Sequence, residues 1–263
     1  MLTEPVTAKL TVGALSIELI DRGRGRPIVF LHPGDGLDPQ APVLDRLAAR
    51  GRLIAPYHPG FGHSDLPGDY NSVDDLAYFY LDLFDQLDIS DAVLVGVSLG
   101  GWIAAEIAVR STARISQLVL ANPVGIRTAK DETVVEIADV FTLPPAEVER
   151  RAYAEPAKWV RGFDQMSDDE IFVVARNREA YCLFAWSPYM HNPGLRRWLH
   201  RIRIPTLVLR GERDGLTAPD YGRAYAAAIP GARFETLPGA GHYPHVERPD
   251  EFAASVARFA GLT

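Results

Sequence analysis

One stretch of the sequence changes from a strand pattern to a helix pattern within a few residues. Residues 92–97 form an apolar, β-branched run, residues 99–108 have helical spacing, and Ser98 lies between them. Gly96 and Gly100 flank the serine and leave room for a turn so tight that the serine backbone is strained and its hydroxyl exposed. A serine in this position is typical of a nucleophile at the end of a parallel strand.

Further strand and helix patterns alternate around this stretch. Residues 8–20 alternate apolar and polar positions around a glycine, which predicts an antiparallel strand pair at a sheet edge. Short apolar runs separated by helical segments predict parallel strands with helical crossovers, and therefore an α/β protein with a doubly wound sheet. The runs lie at 28–31, 53–56, 92–97 and 115–122, and the helical segments at 39–49 and at 73–87, which Ser72 opens.

The alternation stops between Pro123 and Arg203, where the sequence becomes helical. Thr142 and Ser167 begin patterns that are typical of helix starts, the second with a capping box. We therefore predict a core domain of residues 1–122 and 204–263, with a helical cap inserted at 123–203. Strand patterns return at 205–209 and 233–237, and an amphipathic helix closes the chain at 249–259.

The composition narrows the choice of partners. The 263 residues carry a formal net charge of −7, and without a clustered positive face they are not suited to nucleic acid or anionic membrane surfaces. The amino terminus lacks a basic segment followed by an apolar one, and no apolar run approaches the length of a membrane span. No Cys/His spacing is typical of a zinc site. We expect a cytoplasmic protein that acts on a small molecule and binds no metal; the sequence does not indicate its oligomeric state.

A serine hydroxyl is a weak nucleophile until a base takes its proton, and that base needs a third group to orient it. Two loops that follow late strands supply candidates, Asp214 in the first and His242 in the second. Because active groups of open parallel sheets gather beyond the carboxyl ends of the strands, both are expected to meet Ser98. Nearby alternatives to this acid and base are Glu212, Asp220 and His245.

At these residues the sequence resembles the α/β-hydrolase family, from about residue 8 to the end. The resemblance implies the α/β-hydrolase fold, with a mostly parallel central sheet, helices on both faces and an inserted helical cap. It also implies a triad of Ser98, His242 and Asp214 that works through an acyl-enzyme and needs no cofactor. The matching motifs are Gly96-Val-Ser-Leu-Gly100, Gly211-Glu-Arg-Asp214 and Gly241-His242 followed by Glu247-Arg-Pro249.

The resemblance further implies an oxyanion hole made by the backbone N–H groups of Gly34 and Leu99. The family usually has a His-Gly pair here, where this chain has His32-Pro33; proline has no N–H, but the donor belongs to the next residue. Asp35 follows that residue. Because a carboxylate facing the hole would oppose the developing charge, we expect Asp35 to face away, to belong to the turn, or to contact a polar substrate group. His32 and His245 are interpreted as structural, hydrogen-bonded histidines.

Aromatic residues of the predicted cap are the candidates for the substrate pocket. Amphipathic helices need an apolar face in any case, so each candidate has an alternative role in packing the cap. A mostly apolar roof favours a small to medium, largely apolar substrate. The candidates are Trp159, Phe163, Tyr181, Phe184, Trp186 and Tyr189.

The sequence thus predicts a serine hydrolase that cleaves a carboxylic ester or a related acyl bond. A rival within the family is a carbon–carbon bond hydrolase of ring-cleavage diketones, which uses the same triad. Those members usually have an asparagine before the nucleophile and a longer Gly- and Ser-rich oxyanion loop, where this chain has Val97 and residues 32–36. A lactonase or a cofactor-free perhydrolase is also open, because these differ in leaving group or acceptor. A ligand-binding, receptor-like member without turnover is the non-enzymatic alternative.

Overall fold

The computed structural model describes residues 7–129, 131 and 133–262. Eight strands form one sheet in the order β1-β2-β4-β3-β5-β6-β7-β8. The β1–β2 and β2–β4 pairs are antiparallel, and the pairs from β3 onward are parallel. The strands are β1 (Thr7–Val12), β2 (Leu15–Arg22), β3 (Pro27–Leu31), β4 (Arg52–Pro56), β5 (Ala92–Val97), β6 (Ile115–Ala121), β7 (Thr206–Gly211) and β8 (Arg233–Leu237).

Helices cover both faces of this sheet. In β3, alternate side chains enter two hydrophobic cores: Val29 and Leu31 pack with α2 and α3, whereas Ile28 and Phe30 pack with α1 and α10. The mostly parallel sheet between two helical layers confirms the predicted fold. The helices are α1 (Pro42–Ala48), α2 (Val73–Gln86), α3 (Leu99–Arg110), α4 (Pro145–Ala152), α5 (Pro156–Trp159), α6 (Asp168–Ala185), α7 (Leu195–Trp198), α8 (Tyr221–Ala227), α9 (Pro244–Glu247) and α10 (Pro249–Ala260).

Two of the predicted helix starts are well defined. Ser72 before α2 and Ser167 before α6 each accept a hydrogen bond from the third helical N–H, while the carboxylate at that third position accepts from the serine N–H. These capping boxes satisfy amides that a helix terminus otherwise leaves unpaired. The seven-residue helix α8 has no predicted counterpart, because it is short and contains Gly222, a poor helix former.

The segment 123–203 contains α4 to α7 and two short 3-10 turns at Phe163–Gln165 and Leu199–Arg201. Its division from the core as an inserted cap stays a prediction. Near its middle, the end of α4 joins the sheet edge, since the backbone N–H of His242 donates to the carbonyl of Ala152 at 2.6 Å. No helix in the described part of the chain combines the length and apolar character that crossing a bilayer requires. The prediction made from the first residues, 1–6, lies outside the described residues.

Candidate active site

Ser98 occupies the turn between β5 and α3. Its backbone has φ 52° and ψ −113°, a conformation that a residue with a side chain rarely adopts. Gly96 and Gly100 permit the turn because a Cβ on Gly96 would come within 2.2 Å of the Gly100 carbonyl oxygen, and one on Gly100 within 2.1 Å of the Leu31 carbonyl oxygen. The two glycines are therefore required by close backbone approach, as the sequence pattern predicts.

The structure brings Ser98 together with the predicted acid and base. His242 Nε2 lies 2.9 Å from Ser98 Oγ, and His242 Nδ1 lies 3.1 Å from Asp214 Oδ1. All three side chains are buried. The alternative acids Glu212 and Asp220 are exposed and make no such contact. A serine, an imidazole and a carboxylate in this series have the geometry by which a base activates a hydroxyl.

Asp214 is held by the loop that contains it. Its Oδ1 accepts from the backbone N–H of Leu216 at 2.9 Å, and its Oδ2 accepts from the Thr217 hydroxyl at 2.7 Å. Burial alone would raise the pKa of this carboxyl, but the His242 ring and the Thr217 hydroxyl outweigh burial, so its pKa is lowered from the ordinary value. The carboxyl is therefore ionised wherever the protein is folded at neutral pH.

A buried arginine shapes the same loop. Arg210, at the end of β7, donates to the carbonyls of Asp214, at 2.9 Å, and Thr217, and to the Thr217 hydroxyl at 2.7 Å. Its guanidinium also lies 3.7 Å from Asp214 Oδ2. The planar group thus fixes the loop that presents the acid, using donors in several directions at once.

Asn122, the residue after β6, links the acid loop to the histidine loop. Its side-chain oxygen accepts from Gly211 N–H at 3.0 Å, while its amide donates to the carbonyls of Gly241 at 3.0 Å and His242 at 2.9 Å. Glu247 secures the other side of the histidine loop, since it accepts from the N–H groups of Gly241, at 2.5 Å, and Ala154, at 2.7 Å. Sequence reasoning gave Asn122 no role, because its bonds join residues 89 to 120 positions apart, and named Glu247 only as part of the motif that follows His242.

The two predicted oxyanion donors lie at the ends of β3 and β5. The N–H groups of Gly34 and Leu99 have no hydrogen-bond acceptor within the described residues. Leu99 is the first residue of α3, where amides have no intrahelical partner. Gly34 lies within a tight turn of residues 33–36, which Gly36 N–H closes by donating to the Pro33 carbonyl at 3.0 Å. The proline departs from the family pattern without removing the Gly34 N–H.

His32, which precedes the turn at 33–36, is held by contacts with His58. Its ring stacks on the ring of His58 at 3.7 Å between centroids, and its Nε2 accepts from the His58 backbone N–H at 3.0 Å. Burial lowers the pKa of His32 to about 4, so the ring is neutral and can accept. The interpretation of His32 as a structural histidine agrees with these contacts. For His245 it is wrong in one respect: the residue is buried among aromatic rings, and its Nδ1 has no hydrogen-bond partner in the described structure.

The helix α6 contacts the turn at 33–36 directly. Asn177 donates to the carbonyl of Asp35 at 2.9 Å and accepts from Gly62 N–H at 2.9 Å. One helical turn later, the Tyr181 ring covers Gly34 so closely that a Cβ on that glycine would lie 2.3 Å from a ring carbon. A Cβ on Gly36 would lie 2.1 Å from the Asn177 amide nitrogen. Both glycines of this turn are therefore needed because α6 packs on it.

The predicted pocket residues have different environments. Trp159 lines a cleft of about 810 Å³ that opens beside the turn at 33–36, and Tyr181 lies over Gly34. Phe184 is buried, and Tyr189 is half-buried with its hydroxyl donating to the Ala138 carbonyl at 2.5 Å. The two aromatic side chains that face solvent without lining the cleft are Phe163 and Trp186, at 65% and 49% exposure. Their role as substrate contacts stays a prediction.

Charge is distributed unevenly around this cleft. Two of its cationic or titratable groups are already paired, Arg161 with Glu170 at 2.8 Å and His63 with Asp169 at 3.4 Å. Asp35 is exposed in the cleft wall and has no cationic partner within the described residues. Carboxylates thus dominate the wall: Glu18, Asp35, Asp38, Asp169 and Glu170. Ser98 is not among the residues that line the cleft, and the lining residues nearest to a triad residue in the chain are Tyr243 and His245, which follow His242. Within the described residues no group of three or more His, Cys, Asp or Glu side chains could hold a metal ion.

Comparisons with known proteins bear on the family and fold of the chain. The chain is 28% identical over 269 residues to 2-hydroxymuconate semialdehyde hydrolase of Pseudomonas sp. strain CF600, with 95% of this chain and 92% of that protein covered. Its structure is similar to the enol-lactonase from Burkholderia xenovorans LB400, with a TM-score of 0.71 and 25% identity over 97% of this chain and 100% of the other. It is also similar to the bromoperoxidase from Bacillus anthracis, with a TM-score of 0.79 and 20% identity over 97% of this chain and 100% of that protein. The model of the alpha/beta hydrolase family matches residues 28–255, and the chain therefore belongs to the α/β-hydrolase family.

Proposed function

We propose that this chain is a serine hydrolase that cleaves a carboxylic ester or related acyl bond of a small to medium, largely apolar substrate. The observation that carries the proposal is the buried series from Ser98 Oγ through the His242 ring to Asp214, together with two backbone N–H groups that have no acceptor among the described residues. Electrostatic stabilisation by such preorganised donors contributes much of the rate in acyl transfer. Belonging to the α/β-hydrolase family is consistent with this chemistry.

In the proposed reaction His242 Nε2 takes the Ser98 proton as Oγ forms a bond to the acyl carbon. Asp214 keeps the imidazole in the tautomer whose Nε2 can accept, and stabilises the imidazolium that results. The N–H groups of Gly34 and Leu99 hold the oxyanion of the tetrahedral intermediate. The bond to the leaving oxygen then breaks, and that oxygen takes the proton from His242. Water repeats the sequence on the acyl-enzyme and releases the acid.

A second candidate is hydrolysis of a carbon–carbon bond in a diketone, favoured by the similarity to 2-hydroxymuconate semialdehyde hydrolase. The charge of the cleft weighs against it, because muconate-type compounds carry a carboxylate and carboxylates dominate the cleft wall. Two arginines of α6 are engaged in backbone bonds, Arg176 to the Ser64 carbonyl and Arg178 to that of Val140. A neutral ester fits this environment better. A lactone is an internal ester and belongs to the same proposal, which the similarity to an enol-lactonase supports.

The test is a substrate screen combined with one variant. Purified protein is assayed with 4-nitrophenyl esters of increasing acyl length, with lactones, with a ring-cleavage diketone and for perhydrolysis. We expect the short neutral esters or lactones to be the best substrates, and Ser98→Ala to lose several orders of magnitude in kcat/KM. Ser111→Ala, a serine at the opposite end of α3, is the control and should match wild type. Ester hydrolysis by Ser98→Ala near the wild-type rate would contradict the proposal, and a protein with no turnover and no fluorophosphonate adduct at Ser98 would favour a receptor-like binder.

A further inference from the structure

Tyr181 lies over the turn at 33–36, which contains the proposed oxyanion donor Gly34. Tyr181 is buried, and its ring occupies the space where a side chain on Gly34 would be. Burial raises the pKa of Tyr181, and a hydrogen bond with the Ser98 side chain lowers it in part, so the hydroxyl is near that side chain. The Tyr181 side chain is therefore close to Gly34, a proposed oxyanion donor, and to Ser98, the proposed nucleophile.

In the free protein the Tyr181 hydroxyl donates to a weak acceptor. Tyr181 Oη donates to the thioether of Met190 at 3.3 Å, and a thioether sulfur is a poor acceptor compared with any oxygen. Tyr189 differs, because its hydroxyl donates to the Ala138 carbonyl at 2.5 Å and accepts from Val140 N–H at 2.9 Å. A buried O–H that donates to sulfur gains more from a nearby oxyanion than a phenol that already donates to a carbonyl oxygen.

The position of this phenol is fixed by the packing of α6. Asn177 lies one helical turn before Tyr181 and therefore on the same side of the helix. Its two hydrogen bonds, to the Asp35 carbonyl and from Gly62 N–H, attach that side to the turn at 33–36. Burial also raises the pKa of Tyr181 well above its ordinary value, so the hydroxyl keeps its proton at neutral pH.

We infer that Tyr181 is a further catalytic residue, whose hydroxyl donates a hydrogen bond to the reacting acyl oxygen together with the N–H groups of Gly34 and Leu99. An oxygen held by those two N–H groups is joined through the acyl carbon to Ser98 Oγ, and it lies in the space between Gly34 and Ser98 that the phenol covers. The donation strengthens as charge develops on that oxygen, so it stabilises the transition state more than the bound substrate. No proton is transferred from the phenol. The inference rests on the proposed function of Ser98.

The test compares three variants in turnover of a short 4-nitrophenyl ester and in the rate at which a fluorophosphonate labels Ser98. Tyr181→Phe removes only the hydroxyl, and we expect kcat and the labelling rate to fall about 10²-fold while KM changes less than about threefold. Met190→Leu removes the sulfur acceptor and keeps the phenol, and should retain activity within about threefold. Tyr221→Phe is the control, because its hydroxyl bonds to the backbone of Ile126 in the core. It should leave kcat unchanged.

Each outcome decides the inference. If Tyr181→Phe turns over and labels within about threefold of wild type, the phenol is not a donor to the reaction, and the proposed function stands without it. If Met190→Leu loses as much activity as Tyr181→Phe, the phenol acts only by holding Met190, and the inference is wrong. If wild type neither hydrolyses the ester nor labels at Ser98, the proposed function fails and the role of Tyr181 fails with it. Circular dichroism and Tm of each variant establish that the fold is intact.

Discussion

The two helices that border the candidate site, α3 and α6, differ in the fraction of their residues that is buried. α3, which follows Ser98, buries eleven of its twelve residues, whereas α6 buries five of its eighteen, all of them in its second half. The first half of α6 leaves Ile171, Phe172 and Val174 substantially exposed. The chemical groups thus belong to a densely packed sheet edge, and the elements above them are attached at a few points. We expect changes at the sheet edge to affect kcat and unfolding most, and changes on α6, apart from loss of the Tyr181 hydroxyl, to affect substrate binding.

The largest expected effect at the sheet edge is that of Asp214→Asn. The amide keeps the size of the side chain but removes the charge that stabilises the imidazolium, and it favours the wrong His242 tautomer; kcat should fall about 10⁴-fold. Steady-state kinetics with the best ester of the screen measure this. Asp220→Asn, at the exposed start of α8, is the matched control and should behave as wild type. Equal losses in the two variants would leave the identity of the acid open.

Asn122→Asp should have the next largest effect. The new carboxylate would face the Gly241 and His242 carbonyls, to which the amide now donates, so attraction becomes repulsion. We expect the free energy of unfolding to fall by about 2–4 kcal/mol. Because displacement of a catalytic group by about 1 Å can cost 10²-fold, kcat should fall by up to that factor. Urea unfolding and kinetics measure both, with the exposed Asn71→Asp as control. A stable, fully active Asn122→Asp would show that the two loops do not depend on this side chain.

Asn177→Leu tests the attachment of α6. The substitution leaves the Asp35 carbonyl and Gly62 N–H without their partner, at a cost of about 1–3 kcal/mol. Since α6 borders the cleft, KM should rise about tenfold or more, by a larger factor than kcat falls. Glu179→Gln, exposed on the same helix, should change neither. A fall in kcat with unchanged KM would mean that α6 belongs energetically to the sheet edge, which would break the contrast between the two regions.

These differences explain which features can be predicted from sequence. Ser98, Asp214 and His242 follow from local strand–turn–helix and loop patterns, because the parallel sheet brings the carboxyl ends of its strands to one edge. Asn122 and Asn177 carry no such signal, since their bonds reach residues up to 120 and 142 positions away in the chain. Aromatic spacing on α6 likewise does not reveal which rings face the turn at 33–36 and which face solvent.

A buried histidine, His245, should make the free energy of unfolding sensitive to acid. Burial lowers the pKa of His245 to about 3, below the value of about 6.5 for an unfolded chain. Between these two pH values the unfolded state binds a proton at His245 that the folded state does not. The free energy of unfolding is therefore unaffected by this residue above about pH 6.5 and decreases as the pH falls toward 3. His245→Leu removes that uptake and should reduce the slope of unfolding free energy with pH by up to about 1.4 kcal/mol per pH unit. Urea titrations between pH 7.5 and 4.5 measure this.

The exposed His200→Gln is the control for that slope and should leave it unchanged. Because His245 Nδ1 has no hydrogen-bond partner in the part of the chain that the structure describes, His245→Leu should cost little stability at pH 7.5. A slope that stays at the wild-type value would assign the acid sensitivity to other buried histidines such as His32, whose pKa burial lowers to about 4.

The smallest expected effect concerns the cleft where the two regions meet. Asp35→Asn removes one unpaired carboxylate from the wall, and an exposed charge of this kind acts on another with about 0.2–1 kcal/mol. The ratio of kcat/KM for a 4-nitrophenyl hemisuccinate to that for the neutral butyrate should therefore rise about threefold, and added salt should reduce the difference. Asp82→Asn makes the same change of charge on the exposed side of α2 and should leave the ratio unchanged. If the hemisuccinate were already preferred by wild type, the cleft would favour anions despite its carboxylates, and the diketone candidate would regain weight.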